Sequence, residues 1–241
     1  MGVCLPGESD PLIVAFSGGK DSLAVMDLCV TSGRQVHGFI MAYVPGMDST
    51  AHWIEYAKKR WTVAVREYQD PAAIKMLRRG TFRHAPMSIP AIGTKDIEQD
   101  IRERTGAQWI GYGYKRCDCI DRAVMLKTWP KGIYGPWHKF APCHDWTHFE
   151  VLSYLSRNRI EIPDAERMQM NGVGLRADAM FSLRKYWPAD YRRVLEVFPL
   201  AAAQADRHEL IIEQRRKRKA NGSAGIRVPG DSPVADQSCS L

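Results

Sequence analysis

The sequence has no apolar run approaching the roughly 18 residues that a membrane-crossing helix requires. Met1 to Pro11 carries two acidic side chains and no basic one, so the positive start of a secretory leader is missing. Cysteine is scarce, with six residues in 241 and neither a C-x-x-C nor an adjacent pair. That excludes a disulfide framework and leaves reduced thiols as the expectation. There is no internal repeat. A surface of one charge sign is absent as well: the net charge is +7, but Arg215, Arg216, Lys217, Arg218 and Lys219 supply five of those charges. A general nucleic-acid coat is therefore not indicated, whereas a local basic segment is. The expectation is a soluble, cytoplasmic protein without membrane contact, built as one enzyme-sized domain with an appendage.

What is present is an ordinary globular composition, 45% hydrophobic and 25% charged. Leu12 to Phe16 is a short continuous apolar run, suited to a strand buried on both faces of a parallel sheet. A helix apolar almost all round follows from Leu23 to Val30, and Gly33 closes it. Val36–Ala42 reads as a second strand, Ser49–Arg60 as a helix and Trp61–Glu67 as a third strand. This β-α-β-α-β order implies parallel strands with right-handed crossovers. Asp70 to Pro90 reads as a short helix and then irregular chain. Thr94–Thr105, with Thr94 as its cap, is expected to be helical, and Gln108–Tyr112 is the fourth strand. Further helices are expected at Asp118–Lys127, Thr147–Arg157, Arg176–Lys185, Ala189–Val197 and Arg207–Lys219. The 22 residues from Ala220 to Leu241 have no aromatic residue to anchor them and read as a disordered tail.

The chemistry is concentrated at Ser17-Gly18-Gly19-Lys20-Asp21-Ser22, between the first strand and its helix. A glycine pair lets backbone approach a phosphate, and the helix N-terminus offers unpaired N–H groups with partial positive charge. Lys20 adds a full charge, and the hydroxyls of Ser17 and Ser22 add donors. The segment is not a Walker A loop, which would need glycine at Val14 and a hydroxyl residue at Asp21.

This segment resembles the S-G-G-x-D-S pyrophosphate loop of the adenine-nucleotide α-hydrolase (PP-loop) superfamily, specifically its phosphoadenosine phosphosulfate (PAPS) reductase-like branch. Gly113-Tyr114-Lys115-Arg116-Cys117-Asp118-Cys119-Ile120-Asp121-Arg122 is similar to the branch's G-x-R-x-x-D-S-x-x-R segment, with Lys115 for arginine and Cys119 for serine. Pro142-Cys143-His144-Asp145-Trp146-Thr147, with Glu150-Val151 and Tyr154-Leu155, is similar to its P-x-x-D-W-T-x-x-D-V-x-x-Y-[IL] segment. The resemblance implies an α/β fold: a Rossmann-like parallel sheet of about five strands with helices on both faces and a helical C-terminal extension. It implies a nucleotide-binding domain over 1–163, an extension over 164–219 and a tail over 220–241. ATP or PAPS, with Mg²⁺ bridging phosphates, is the implied ligand. On that pattern Ser17, Gly18, Gly19, Asp21 and Ser22 cradle the distal phosphates and Lys20 neutralises charge building on the leaving group, with Lys20, Asp21 and Arg122 as the implied catalytic residues. Met41 to Tyr43 would face adenine, and Gly113, Lys115 and Arg122 would close from the other side.

The resemblance leaves the reaction open. Adenylation of an acceptor with release of pyrophosphate is the first reading. A thiol-dependent sulfonucleotide reductase using Cys239 is the second, although the E-C-G-[IL]-H context of the reductases is absent. A third is a nucleotide-binding adaptor, working with a partner protein or with nucleic acid through Arg215–Lys219. A homodimer also stays open. Cys117, Cys119, Cys143 and His144 are types that could hold zinc, but ordinary thiols are the first expectation and no metal site is assigned. His37 and His84 lack motif context, and Trp53, Trp61 and Trp109 are expected in the core.

Overall fold

The structure is a computed structural model that describes residues 4–7, 9–162 and 174–220. The chain runs β1 (Leu12–Ala15), α1 (Lys20–Thr31), β2 (Val36–Ala42), α2 (Asp48–Trp61), β3 (Val65–Gln69), α3 (Pro71–Arg79), α4 (Thr94–Thr105), β4 (Trp109–Gly111) and α5 (Ile120–Lys127). It continues through β5 (Ile133–Tyr134), β6 (Lys139–Phe140), α6 (His148–Arg157), α7 (Ala177–Tyr186), α8 (Pro188–Val197) and α9 (Ala202–Ala220). The sheet order is β3-β2-β1-β4-β6-β5. All neighbouring pairs are parallel except β5 with β6. The expected five parallel strands are therefore present, and the two-residue β5 adds an antiparallel edge.

Strand β1 has neighbours on both edges, pairing Leu12 with Val36 of β2 and with Trp109 of β4. Its side chains alternate between two cores, as a strand's period of two dictates. Leu12, Val14 and Phe16 pack with α1, with Ala57 and Trp61 of α2, and with Val151 and Leu155 of α6. Ile13 faces the other way, joining Phe39, Ile110 and the α4 residues Ile97 and Ile101. Both faces are covered, which accounts for the apolar run at Leu12–Phe16.

Some boundaries differ from those the sequence suggests. The third strand begins at Val65 rather than Trp61, because α2 runs on to Trp61. Trp61 donates from its indole N–H to the buried Asp27 carboxylate at 2.8 Å, which ties the end of α2 to α1. Gly93, not Thr94, is the cap of α4. The last helix begins at Ala202, five residues before the expected start, since Ala201 and Ala205 pack in a core with α3 and α8. The sequence pattern places only four of the five expected strands, because the two-residue β6, like the edge strand β5, is too short for a periodic signal. The tail over 221–241, including Cys239, lies outside the described residues.

Helix α8 is joined to the start of α2 through charged side chains. Helix α2 has no side-chain cap of its own. The carboxylate of Asp190 in α8, fully buried, accepts from the backbone N–H groups of Asp48 and Ser49, both at 2.7 Å. Arg193 closes the arrangement at 3.1 Å from Asp190 and 2.7 Å from Asp48. Asp190→Ala is expected to cost about 2 kcal/mol in urea unfolding, since it removes a cap and strands two donors. Arg193→Ala, at an exposed partner, is expected to cost under about 1 kcal/mol.

Candidate active site around the Ser17–Ser22 loop

The chain leaves β1 toward β2 on one side and reaches β4 on the other, so a crevice opens at the carboxyl end of β1 where the strand order reverses. The Ser17–Ser22 loop sits at that point. Gly18 has φ of +73°, and a Cβ there would lie 2.4 Å from Cγ of Trp53. Only glycine fits between the required backbone twist and the indole. The Ser22 hydroxyl donates to Gly19 C=O at 2.9 Å and accepts from the Ser17 N–H at 3.1 Å, so the loop is tied internally. Gly19 caps α1 without a side-chain hydrogen bond, so the positive end of the helix dipole lies at the crevice.

The opposite wall is the chain after β4. Gly113 passes so close to the start of α1 that a Cβ would stand 2.9 Å from Asp21 Cβ and 3.0 Å from its carbonyl carbon. Lys115 then turns inward and is 2% exposed. Its ammonium lies 2.7 Å from Asp21 Oδ1 and 2.8 Å from Asp118 Oδ1, and Asp118 also accepts from the Lys115 N–H at 3.0 Å. Lys20 Nζ lies 3.1 Å from the other Asp21 oxygen. Burial opposes the charge on Lys115, but the two carboxylates outweigh it and hold its pKa above the ordinary lysine value. Two ammonium groups and two carboxylates thus meet at a helix N-terminus.

The residues named from sequence fall into three places. Ser17, Gly18, Gly19, Lys20, Asp21, Ser22, Gly113 and Lys115 converge. Met41 and Tyr43 lie at the end of β2, where Met41 packs against the Ile13–Phe39 core and Tyr43 against the core under the extension. Burial first, and the nearby Asp70 charge second, raise the Tyr43 phenol. Arg122 is not turned onto the loop as a side-chain partner; its guanidinium stacks on Tyr114 at 3.6 Å from the ring centroid. Two residues of the site are not among those the sequence marks for it: Asp118, read only as a helix start within the similar segment, and Trp53, expected in the core. Asp118 occupies the aspartate position of the quoted G-x-R-x-x-D segment, so its signal was available; nothing local marks Trp53.

The third similar segment has a plain structural use. Thr147 and Glu150 form a reciprocal capping box on α6, with Thr147 N–H donating to Glu150 at 2.7 Å and Glu150 N–H to Thr147 Oγ1 at 3.2 Å. Those bonds hold the Glu150 carboxyl below its usual range. Asp145 pairs with Arg116 at 2.8 Å and with His144 at 2.9 Å, fastening this segment to the Lys115 loop. Among the described residues no three of His, Cys, Asp and Glu are placed to hold a metal ion. Cys143 is buried while Cys117 and Cys119 are exposed, so the thiols do not form a common site.

Lys115→Met is expected to lower stability by about 2 kcal/mol, because two carboxylates lose a shared counter-charge while keeping some hydration. A raised lysine pKa contributes stability that is complete below the ordinary value of 10.5 and is lost as pH climbs through the raised one. The gap between wild type and variant should therefore be flat across neutral pH and narrow only in alkali, as read by denaturant titration. Among the described cysteines, iodoacetamide in native buffer should label Cys117 and Cys119 before Cys29 and Cys143. Burial pushes Cys29 up to about 12 and Cys143 higher still, so peptide mapping should find those two modified only after unfolding.

The phosphoadenosine phosphosulfate reductase domain family matches residues 11–165 of the chain. Comparison with curated proteins gives no match. Among solved structures, the U34-tRNA thiolase NcsA of Methanococcus maripaludis, described with its [4Fe-4S] cluster, is similar at 10% identity and a TM-score of 0.45, over 86% of this chain and 75% of that one. The PAPS reductase of Candida auris is similar at 10% identity and 0.44, over 68% and 80%. The NH₃-dependent NAD synthetase of Campylobacter jejuni subsp. jejuni NCTC 11168 is similar at 12% identity and 0.41, over 92% and 91%. With the family match spanning well over half its length and running through both walls of the crevice, the chain belongs to the phosphoadenosine phosphosulfate reductase domain family.

Proposed function

We propose that the protein is an adenine-nucleotide enzyme that binds ATP in the crevice and cleaves it between the α- and β-phosphates, adenylating an acceptor. The observation that carries the reading is the convergence of the α1 N-terminus, Lys20 and the buried Lys115 on one crevice at the strand-order reversal. In this reading the N–H groups and hydroxyls of Ser17 to Ser22 hold the β- and γ-phosphates. Lys20 gains its advantage as negative charge builds on the departing pyrophosphate, the differential stabilisation on which catalysis depends. The acceptor's nucleophilic atom attacks the α-phosphorus, the α–β bridging bond breaks toward pyrophosphate, and the acceptor's proton leaves to solvent.

Asp21 serves as the hinge of this charge arrangement, holding Lys20 and Lys115 at a fixed separation before nucleotide arrives. A Mg²⁺ ion riding on the phosphates needs only one or two protein carboxylates. Asp21 and Asp118 are the carboxylates at hand, and the ion would neutralise phosphate charge there. The Met41–Tyr43 backbone would receive adenine, and Gly113 would give the chain after β4 its close approach. Arg122 would have to leave Tyr114 to reach phosphate. Residues 1–163 would form the nucleotide-binding domain and 164–219 the extension docked on it.

The family match also favours a second reading, reduction of PAPS to sulfite with electrons from a dithiol carrier and Cys239 as nucleophile. Incubation with Mg²⁺ and α-labelled ATP, or with PAPS and thioredoxin, separates the two. With water standing in for the acceptor at the α-phosphorus, AMP and equimolar pyrophosphate are expected from ATP, and Lys20→Ala should reduce their formation at least about 100-fold with an unchanged melting temperature. Sulfite formed from PAPS and abolished by Cys239→Ser would establish the reductase instead. ATP bound but unchanged would leave the adaptor, acting with a partner protein.

A further inference from the structure

A second positively charged feature lies away from the crevice. Helix α3 presents Lys75, Arg78 and Arg79 to a groove of about 750 Å³, whose facing wall is Ala91 to Thr94 and Asp96 at the start of α4. All three cations are exposed, and none is paired with a carboxylate among the described residues. Asp96 is the acid in the lining, and its Oδ2 is already taken by the Gly93 N–H at 2.7 Å. The groove thus has a net positive lining that no carboxylate among the described residues neutralises. Its other side explains why these cations face out: Ala73 and Leu77 of α3 are buried against α8 and α9.

The first turn of α4 links this groove to an aromatic platform. Thr94 lines the groove, and the next residue, Lys95, places its ammonium 5.0 Å from the Trp137 ring centroid. Lys139 stands 5.3 Å from the same ring. Trp137 is 53% exposed, an unusual position for so large an apolar surface. Its backbone is nonetheless fixed, because Arg102 donates to its carbonyl at 2.9 Å. Lys139 is held by Glu98 at 2.7 Å, so the held, exposed indole, the Lys95 ammonium beside it and the three exposed cations of α3 are what combine base stacking with phosphate neutralisation.

From this juxtaposition of the α3–α4 basic groove and Trp137 we infer a binding track for single-stranded nucleic acid, with phosphodiesters over Lys75, Arg78 and Arg79 and a base on the indole. Single strands are favoured over duplex because the indole needs an unpaired base face. The inference does not depend on nucleotide chemistry in the crevice. It also differs from the basic end of α9, where Lys217 is paired with Glu213 at 2.7 Å.

The test is fluorescence anisotropy of the full chain with a labelled 20-nucleotide oligo-dT or oligo-rU across a salt series. Binding is expected with a log–log salt slope of about −2, the value for three neutralised phosphates on a single strand. Lys75→Ala/Arg78→Ala/Arg79→Ala should flatten that slope and weaken binding at least about tenfold at low salt. Trp137→Ala should weaken it at least about fivefold with the slope unchanged, a separation that a merely structural role would not produce. Melting curves of each variant confirm folding. No binding by wild type, a slope surviving the triple variant but lost in Arg215→Ala/Lys217→Ala, or equal displacement by duplex DNA or pyrophosphate would each overturn the inference.

Discussion

Strand β1 is hydrogen-bonded on both edges and packed on both faces, so its carboxyl end is the one part with an open direction. The rest of the crevice follows from that constraint. A parallel neighbour on either side must be reached by a crossover, and two crossovers departing in opposite senses cannot cover the same strand end. The loop after β1 is tied to itself through Ser17, Gly19 and Ser22, and it opens the helix whose positive N-terminal dipole end lies at the crevice. An anion is the natural complement, and the two lysines reinforce the preference.

The arrangement also manages its own charge before any ligand arrives. A buried ammonium without partners would shed its proton, and two lysines beside a helix N-terminus would repel one another. Asp21 stands between them, and Asp118 adds a second carboxylate to Lys115. The contact cost is met by geometry: Gly113 and Gly18 lack the side chains that would hold the walls apart. Charge compensation and close approach are thus one device, and both lie inside the family-matched segment.

Much of this was legible in the sequence, for identifiable reasons. The apolar run at Leu12–Phe16 and the β-α-β-α-β order are local patterns with strong periodic signals, and the loop residues are a compact motif. What sequence could not give was any contact made across long separations. The Asp190 cap on α2 joins residues about 140 positions apart, and the Trp53 wall over Gly18 has no sequence signature. Trp61 was assigned to a strand because its β-propensity competes with a helix end fixed by Asp27. Arg122 occupies the arginine position of a similar motif yet stacks on Tyr114, a choice made by packing rather than by spacing. Lys115 in place of arginine reads differently once its burial is known, since a compact ammonium can bridge Asp21 and Asp118 in a closed space.

If the crevice at the end of β1 is a phosphate cradle, phosphate ligands must reach the backbone of the Ser17–Ser22 loop. The most direct measurement is titration of isotope-labelled protein with ATP and then with pyrophosphate, followed by backbone amide chemical shifts. The account predicts that both ligands move the amides of Gly18, Gly19, Lys20, Asp21 and Ser22 together with Lys115, with ATP adding shifts at Met41 to Tyr43. Shifts confined to the α3–α4 groove, with the Ser17–Ser22 amides unmoved at saturation, would contradict it.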